Sequence, residues 1–307
     1  MSRVAHVWLA RAALCALTAL PYANTFDAGF VFDSRAIVLD DPRIREVSAA
    51  NLRAIVGQSY WGATLESPLY RPATTASFLL NYAVLGNQDR PAGYHAVNLL
   101  LHLANVLLVF AIGRRLAGAV WPAAAVAALW AVHPLLTEAV TNIVGRADLL
   151  SALGGLGALY AYLASGESPR RGGWLALSAA AATLAIFSKE SGVALLGVVI
   201  AYDLLLRRPS RPIGRFLPAW LLLSCPVALF LLLRTTIPTH AVSEFVFLDN
   251  PIGSASFWAG RLTALSIAGR YLWLVAWPRS LSPDYSFAQI PIFDGRRTQA
   301  PFGDLGR

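Results

Sequence analysis

Long runs of apolar residues constrain this chain more than any other feature. A helix needs about 20 mostly apolar residues to cross the hydrocarbon core of a bilayer, and about eight stretches approach that length. Charged residues form only 14% of the chain, against about 25% in soluble domains. The sequence therefore predicts an all-α, polytopic membrane helix bundle. It excludes a soluble enzyme, a disordered protein and a disulfide-stapled secreted domain.

The predicted spans differ in how clearly they are marked. The first is short and is interrupted by Arg11, so a cleaved signal peptide is the alternative; the poor cleavage site after Pro21 favours an uncleaved span. In chain order the spans are Val4 to Tyr22, Tyr94 to Leu116, Val120 to Val140, Leu149 to Leu163, Trp174 to Phe187, Val193 to Leu206, Phe216 to Leu233 and Leu262 to Trp277.

The arginines predict the topology. They cluster in alternate short connections, which the positive-inside rule assigns to the cytoplasm: Arg114, Arg115, Arg170, Arg171, Arg207, Arg208, Arg211 and Arg215. The N-terminus is then cytoplasmic, and the segments 24–93, around Arg146, around Lys189 and 234–261 face outward. This placement also accounts for the net charge of +8, so we expect no nucleic-acid partner.

These features predict five regions. Residues 1–23 form a signal anchor, 24–93 an extracytoplasmic loop, and 94–233 the transmembrane core. Residues 234–292 form a second outer segment with the last span, and 293–307 a polar, disordered tail. The first outer loop, about seventy residues long, is of a length that is usually functional. Within it, Ser48 is a good N-cap for a predicted helix that reaches Val56.

Ionisable and polar residues inside spans require a reason, because the bilayer makes them costly. His95, Asn98, His102 and Asn105 recur at helical spacing, which predicts a stripe facing other helices or a water-filled cavity. Hydrogen bonding between helices is the simplest role. A metal shared by the two histidines is disfavoured, because two helical turns separate them by roughly 10 Å.

Two further polar groups lie at the predicted outer rim. In the first, His133, Glu138, Arg146 and Asp148 follow one another closely, so that the guanidinium could pair with a carboxylate or bind an anionic headgroup. In the second, Lys189 and Glu190 end the fifth span, where a solvated turn and a functional role are equally compatible with the sequence.

The order of several motifs is more specific than any one of them. The motifs are Phe30-Val31-Phe32-Asp33, Tyr70-Arg71-Pro72, Gly93-Tyr94-His95, the run from His133 to Leu150, Ser188-Lys189-Glu190-Ser191-Gly192, Asp249-Asn250-Pro251 and Tyr271-Leu272-Trp273-Leu274. In this order they resemble the transmembrane and tetratricopeptide-repeat O-mannosyltransferases and their bacterial relatives, in the GT-C glycosyltransferase superfamily. The resemblance covers residues 22 to 292.

This resemblance implies a membrane glycosyltransferase with a GT-C-like fold. It would move a sugar such as mannose from a polyprenyl-phosphate donor in the bilayer to a hydroxyl of a protein or glycan, outside the cytoplasm and with inversion. Asp33 would be the general base. The donor phosphate would meet Arg146, Arg71 and Lys189, with a supporting polar set of Glu138, Asp148, His133, His95 and His102. No cofactor is expected, and no metal, although Asp33, Asp40, Asp41 and Glu138 could supply oxygen ligands.

The chain departs from the family in two places. Relatives often carry two adjacent acidic residues where this chain has Asp33-Ser34, so either Asp33 works alone or Asp40 or Asp41 shares its role. The tetratricopeptide repeats and further spans are missing, which predicts a truncated product or a fragment. The alanine- and arginine-rich composition predicts a bacterial inner-membrane protein.

Two other function classes are compatible with a helix bundle of this kind. One is a non-catalytic accessory protein that binds lipid-linked sugar, which an Asp33→Asn variant would distinguish from an enzyme. The other is a transporter, which is disfavoured because the chain shows no paired internal repeats with broken helices.

Overall fold

The structure is a computed structural model that describes residues 2–62, 69–207, 212–237, 251–282 and 289–293. Within these ranges it is all-α, without β-strands. The chain divides into two compact units, residues 1–240 and 241–307, which are described separately. The predicted tail from residue 294 onward, Asp249-Asn250 and the predicted cytoplasmic Arg208 and Arg211 lie outside the described residues.

Eleven α-helices lie in the described ranges, linked by short 3₁₀ and π turns. The first unit contains α1 (Arg3–Ala19), α2 (Ala49–Gly57), α3 (Pro72–Leu79), α4 (Pro91–Ala117), α5 (Val120–Ala131), α6 (Thr137–Thr141), α7 (Arg146–Ser165), α8 (Arg171–Ser188), α9 (Ala194–Tyr202) and α10 (Leu217–Thr236). The second unit contains α11 (Phe257–Ala276).

Four helical segments are long and apolar enough to cross a membrane: Arg3–Asp27, Pro91–Ala117, Ile143–Ser165 and Leu217–Thr236. A fifth arises if α5 and the following Pro134–Thr141 form one span bent by 52°. The helices of the other three predicted spans, α8, α9 and α11, are not among these segments, and α9 has only 9 residues. A membrane helix bundle is thus confirmed, whereas a count of eight spans stays a prediction.

Small residues allow the transmembrane helices to approach closely, as is usual within bilayers. At Gly154 of α7, a Cβ atom would lie 2.4 Å from the backbone nitrogen of Ala185 in α8. Between α4 and α5, the core includes the alanine row Ala123, Ala127 and Ala131, against which Val106 and Phe110 pack. These contacts join α7 to α8 and α4 to α5.

The described residues between 30 and 94 form a packed layer. Its core joins Ile37, Ile55 and Phe78 to Tyr94 of α4. The helix predicted from Ser48 is confirmed: α2 begins at Ala49, and the Ser48 hydroxyl accepts the backbone N–H of Asn51 at 3.1 Å. This layer packs against the N-terminal end of α4.

The polar stripe of α4 faces other helices, as predicted. His95, Asn98, His102 and Asn105 are all at most 2% exposed. The His102 ring lies 2.9 Å from the carbonyl oxygen of Ala131, the last residue of α5. Asn98 donates to the carbonyl of Asn142 at 3.0 Å and Asn105 to that of Leu149 at 2.9 Å. These three side chains therefore hydrogen-bond backbone carbonyls at the end of α5, after α6 and in α7.

Arginines from three predicted cytoplasmic connections meet at one end of the first unit. Arg115 pairs with Glu167 at 2.8 Å, which joins the first connection to the second. Arg171 from the second connection lines a cavity with Arg207 and Arg215 from the third. The described arginines of the three connections thus lie at the same end of the unit, and the assignment of this end to the cytoplasm stays a prediction.

Candidate active site

A cavity of about 530 Å³ gathers five of the predicted site residues at the other end of the first unit. They are Asp33, Arg71, Glu138, Asp148 and Lys189. These side chains come from the first outer layer, from α6, from α7 and from the turn after α8. Three segments predicted to face outward therefore converge, although the sequence separates Asp33 from Lys189 by more than half of the chain.

A strained turn holds Asp33 at the cavity. The preceding residue, Phe32, has φ of +49°, a left-handed conformation that costs a residue with a side chain roughly 1–2 kcal/mol. The next residue, Ser34, is fully buried, and its hydroxyl donates to the carbonyl of Val31 at 2.5 Å. Backbone strain of this kind is typical of functional sites. The turn exposes Asp33 and turns Ser34 inward.

Asp40 and Asp41, the two carboxylates that could share the role of Asp33, do not line the cavity. Asp41 is 5% exposed and pairs with Arg43 at 2.7 Å. Arg43 in turn donates to the carbonyls of Ser59 and Tyr60, both at 2.8 Å. Asp40 is exposed and lies outside the cavity lining. Of these three carboxylates, Asp33 is the one that lines the cavity, and it forms no ion pair with any described residue.

Two ion pairs at the cavity join residues that are distant in sequence. Lys189 follows the last residue of α8 in an extended conformation, so its side chain and that of Glu190 point in opposite directions. The Nζ atom of Lys189 lies 2.6 Å from Asp148, while Glu190 accepts from Arg71 at 2.9 Å. The latter pair is only 16% and 25% exposed, and both cations remain at the cavity.

Thr74 and Pro72 explain how Arg71 reaches the site. Pro72 is the first residue of α3, a position that proline favours, and Arg71 directly precedes it. The Thr74 hydroxyl donates to the carbonyl of Ser188 at 2.8 Å. This bond fastens α3 to the end of α8 and places Arg71 beside Glu190.

Arg146 occupies a different environment from the one predicted. It is 0% exposed and does not line the cavity. Its guanidinium donates to the side chain of Asn98, to that of Asn81 at 2.9 Å and to the carbonyl of Tyr94 at 3.0 Å, and it lies 5.2 Å from the ring centroid of Phe78. Neither Glu138 nor Asp148 pairs with it. Its contacts join α7 to α4 and to the outer layer.

The predicted supporting histidines also lie outside the cavity lining. The Nε2 atom of His95 is 3.2 Å from the carbonyl oxygen of Ala28, which requires the ring to donate from that nitrogen. His102 contacts α5 as described above. His133 accepts the backbone N–H of Leu135 at 3.3 Å and begins the turn that leads to Glu138. Each histidine thus holds backbone near the site.

Tyr60 is a cavity residue that sequence reasoning missed. It is 4% exposed, and its hydroxyl has no hydrogen-bond partner among the described residues. Its ring lies 5.2 Å below the guanidinium of Arg71. Burial raises the pKa of its phenol. A buried hydroxyl without a partner is uncommon in proteins, and no motif in the sequence distinguishes Tyr60 from other aromatic residues.

Within the described residues, no three histidine, cysteine, aspartate or glutamate side chains form a set that could hold a metal ion. The chemistry available at the cavity is that of two exposed carboxylates that form no ion pair with a described residue, Asp33 and Glu138, together with two cations and a phenol. Such a set can accept a proton from a hydroxyl and can neutralise a phosphate.

Comparisons with curated proteins find relatives that match most of this chain. Protein O-mannosyl-transferase Tmtc2 of Drosophila melanogaster is 31% identical over 303 residues, which cover 93% of this chain and 32% of the fly protein. Protein O-mannosyl-transferase TMTC2 of Homo sapiens is 32% identical over 293 residues, covering 88% and 34%. Protein O-mannosyl-transferase F38B6.6 of Caenorhabditis elegans is 29% identical, covering 90% and 39%.

These matches confirm the resemblance predicted from the ordered motifs. The chain spans about a third of the length of the curated relatives it matches. No protein-family model matches the chain, and no solved structure matches it.

Proposed function

We propose that this chain, a homologue of the transmembrane and tetratricopeptide-repeat protein O-mannosyl-transferases over about nine tenths of its length, forms the donor and acceptor site of a membrane glycosyltransferase. The donor is a polyprenyl-phosphate-linked sugar, with mannose the first choice, and the acceptor is a hydroxyl of a protein or glycan. The observation that carries the proposal is the cavity in which Asp33 faces Arg71 and Lys189.

Asp33 is proposed as the general base. Its carboxylate accepts the proton of the acceptor hydroxyl as that oxygen bonds to the anomeric carbon of the sugar. The bond from this carbon to the phosphate oxygen breaks at the same time, and polyprenyl phosphate leaves with the electron pair. Attack opposite the leaving group inverts the anomeric centre. A glycosyl phosphate already carries a good leaving group, so the general acid of ordinary glycosidases is not needed.

Lys189 and Arg71 are proposed to stabilise the departing phosphate. Both are cations at the cavity, and charge that develops on the leaving oxygen is stabilised strongly by positioned donors. Arg146 is assigned to positioning instead of phosphate binding, because its guanidinium is enclosed by Asn81, Asn98 and Tyr94. Asp148 and His95 likewise position Lys189 and the backbone that leads to Asp33.

Tyr60 is proposed as a further ligand-binding residue. Its hydroxyl is the buried polar atom at this cavity without a partner among the described residues, and its electrostatic neighbours include Asp33 and Arg71. A phosphate or sugar oxygen bound beside Arg71 would accept its hydrogen bond. Ligand binding would then give this buried hydroxyl a hydrogen-bond partner.

We further propose that the protein lies in the plasma membrane of a bacterium, with a cytoplasmic N-terminus. The cavity would then be extracytoplasmic and the arginine-rich end cytoplasmic, in accordance with the positive-inside rule. An eight-span, GT-C-like topology belongs to this proposal.

The alternative is a non-catalytic protein that binds lipid-linked sugar at the same cavity. The test compares vesicles that contain the chain, its Asp33→Asn variant and its Asp40→Asn variant, each supplied with radiolabelled polyprenyl-phosphate-mannose and membrane acceptors. Transfer by the chain and by Asp40→Asn, with none by Asp33→Asn, would support the proposed base. Donor binding without transfer in all three would support the binding protein.

A further inference from the structure

A second cavity lies at the arginine-rich end of the first unit. It has a volume of about 180 Å³ and is lined by Tyr162, Ser165, Gly166, Ser168, Arg171, Arg207, Arg215 and Phe216. The helix α7 runs from the catalytic cavity to this one and has 20 residues, which corresponds to about 30 Å. The two cavities therefore lie at opposite ends of one transmembrane helix.

The positive charge of this cavity is only partly neutralised. Two acidic residues adjoin it. Glu167, between the lining residues Gly166 and Ser168, pairs with Arg115 at 2.8 Å, and Asp203 is fully buried. The Oδ2 atom of Asp203 accepts from the Tyr162 hydroxyl and from the Trp220 indole at 2.8 Å, and its Oδ1 atom lies 3.6 Å from Arg207. Arg171 and Arg215 are exposed and form no ion pair with a described residue. The cavity is therefore suited to an anion.

Exposed apolar side chains next to the arginines indicate the kind of anion. Leu205 and Leu206 directly precede Arg207 and are 75% and 67% exposed. Leu217 and Leu221 on the first turns of α10 are 49% and 61% exposed. An acyl chain can lie along this surface while its headgroup reaches the arginines. A soluble anion would form no contact with this apolar surface.

We propose that this cavity binds the phosphate of an anionic phospholipid from the membrane leaflet at this end of the bundle. Basic pockets between transmembrane helices are known to hold anionic headgroups. The forked guanidinium groups of Arg171 and Arg215 can each donate two hydrogen bonds to one phosphate. The volume accommodates a phosphate group. This site is independent of the proposed glycosyl transfer, because it shares no residue with the catalytic cavity.

The experiment measures lipid retained by the purified full chain in native mass spectrometry, after titration with phosphatidylglycerol or with phosphatidylcholine. The test variant is Arg171→Gln/Arg215→Gln. The control variant, Arg114→Gln/Arg170→Gln, removes the same charge from the same end without touching the cavity lining. A parallel titration uses inorganic phosphate, with thermal protection of the chain as its readout.

We expect the test variant to lose ~tenfold in affinity for phosphatidylglycerol, with little change in the control variant and weak binding of phosphatidylcholine throughout. An equal loss in the control variant would overturn the proposal in favour of diffuse surface charge. Protection by inorganic phosphate as strong as that by phosphatidylglycerol would overturn the lipid assignment. If the glutamine variant failed to fold, Arg171→Lys/Arg215→Lys would replace it, with an intermediate loss expected because the charge stays and the fork is removed.

Discussion

The Nζ atom of Lys189 lies 2.6 and 2.7 Å from the two carboxylate oxygens of Asp148, which precedes it by 41 positions. A cation proposed to bind the donor phosphate is thus already held by an internal carboxylate. The pair is partly exposed, with side-chain exposures of 29% and 47%, so solvent weakens the attraction between the partners. A phosphate entering the cavity can therefore share Lys189 without first breaking a buried ion pair.

Opposite effects on donor binding are expected at the two ends of this pair. Lys189→Gln removes a cation and should raise the KM for polyprenyl-phosphate-mannose by about tenfold. Asp148→Asn leaves Lys189 without its competing carboxylate and should lower that KM. Steady-state kinetics over a range of donor concentrations measure both. A higher KM in both variants would show that Asp148 matters for placing Lys189 more than for competing with the phosphate.

Removal of the Tyr60 hydroxyl should weaken transfer without affecting the fold. Tyr60→Phe keeps the ring that packs beside Arg71 and loses one hydrogen bond to the ligand, so kcat/KM should fall by about five- to tenfold. Because burial raises the pKa of this phenol above its ordinary value, the hydroxyl stays protonated, and the ratio of the two rates should be constant between about pH 6 and 9. A ratio that changes with pH, or no loss at all, would contradict the assignment.

Replacement of Arg146 by lysine should destabilise the bundle even though the charge is kept. The forked guanidinium donates to three separate acceptors, whereas one ammonium cannot reach all of them. Unsatisfied buried groups cost about 1–3 kcal/mol each, so the melting temperature in detergent should drop by several degrees. Arg170→Lys, at an exposed position, is the control and should melt like the parent chain.

Two adjacent glycines of α7 should respond oppositely to alanine. A Cβ at Gly154 would meet the α8 backbone at 2.4 and 2.6 Å, whereas one at Gly155 would meet nothing within 4 Å. Gly154→Ala should therefore separate the helices at a cost of about 1–3 kcal/mol, while Gly155→Ala should be neutral or stabilising by up to about 1 kcal/mol. Thermal melting of both variants in the same detergent measures the difference. Equal melting temperatures would mean that α7 and α8 do not pack at Gly154.

Local sequence signals predicted local structure well. Ser48 caps α2 because a hydroxyl before a helical stretch satisfies a free backbone N–H, a rule that needs only a few neighbouring residues. The buried stripe from His95 to Asn105 followed from helical spacing and the cost of polar groups in lipid. The described arginines of the predicted cytoplasmic connections lie near one another, while their side of the membrane stays a prediction.

Pairings between distant residues could not be predicted in the same way. Proximity in sequence suggested that Arg146 pairs with Glu138 or Asp148, but α4 and the turn after α3 supply it with uncharged acceptors. Lys189 pairs with Asp148 because α7 and α8 lie side by side, a fact that charge pattern alone does not contain. Tyr60 could not be predicted because the feature that distinguishes it is a buried hydroxyl without a hydrogen-bond partner among the described residues. Burial and hydrogen bonding of this kind depend on the folded structure.

The bend between α5 and α6 has a consequence for how this protein is assembled. At the break, carbonyl groups such as that of Ala131 lose their partners within the helix, and lipid offers none, so each would cost several kcal/mol at membrane depth. The Nε2 atom of His102 in the neighbouring α4 lies 2.9 Å from the carbonyl oxygen of Ala131 and can supply the missing donor. Pro134, which has no backbone N–H to donate, favours a bend at this point, and packing against α4 satisfies the carbonyl that the bend frees. The position of Glu138, which follows the bend and lines the cavity of Asp33, therefore depends on the contact between α4 and α5.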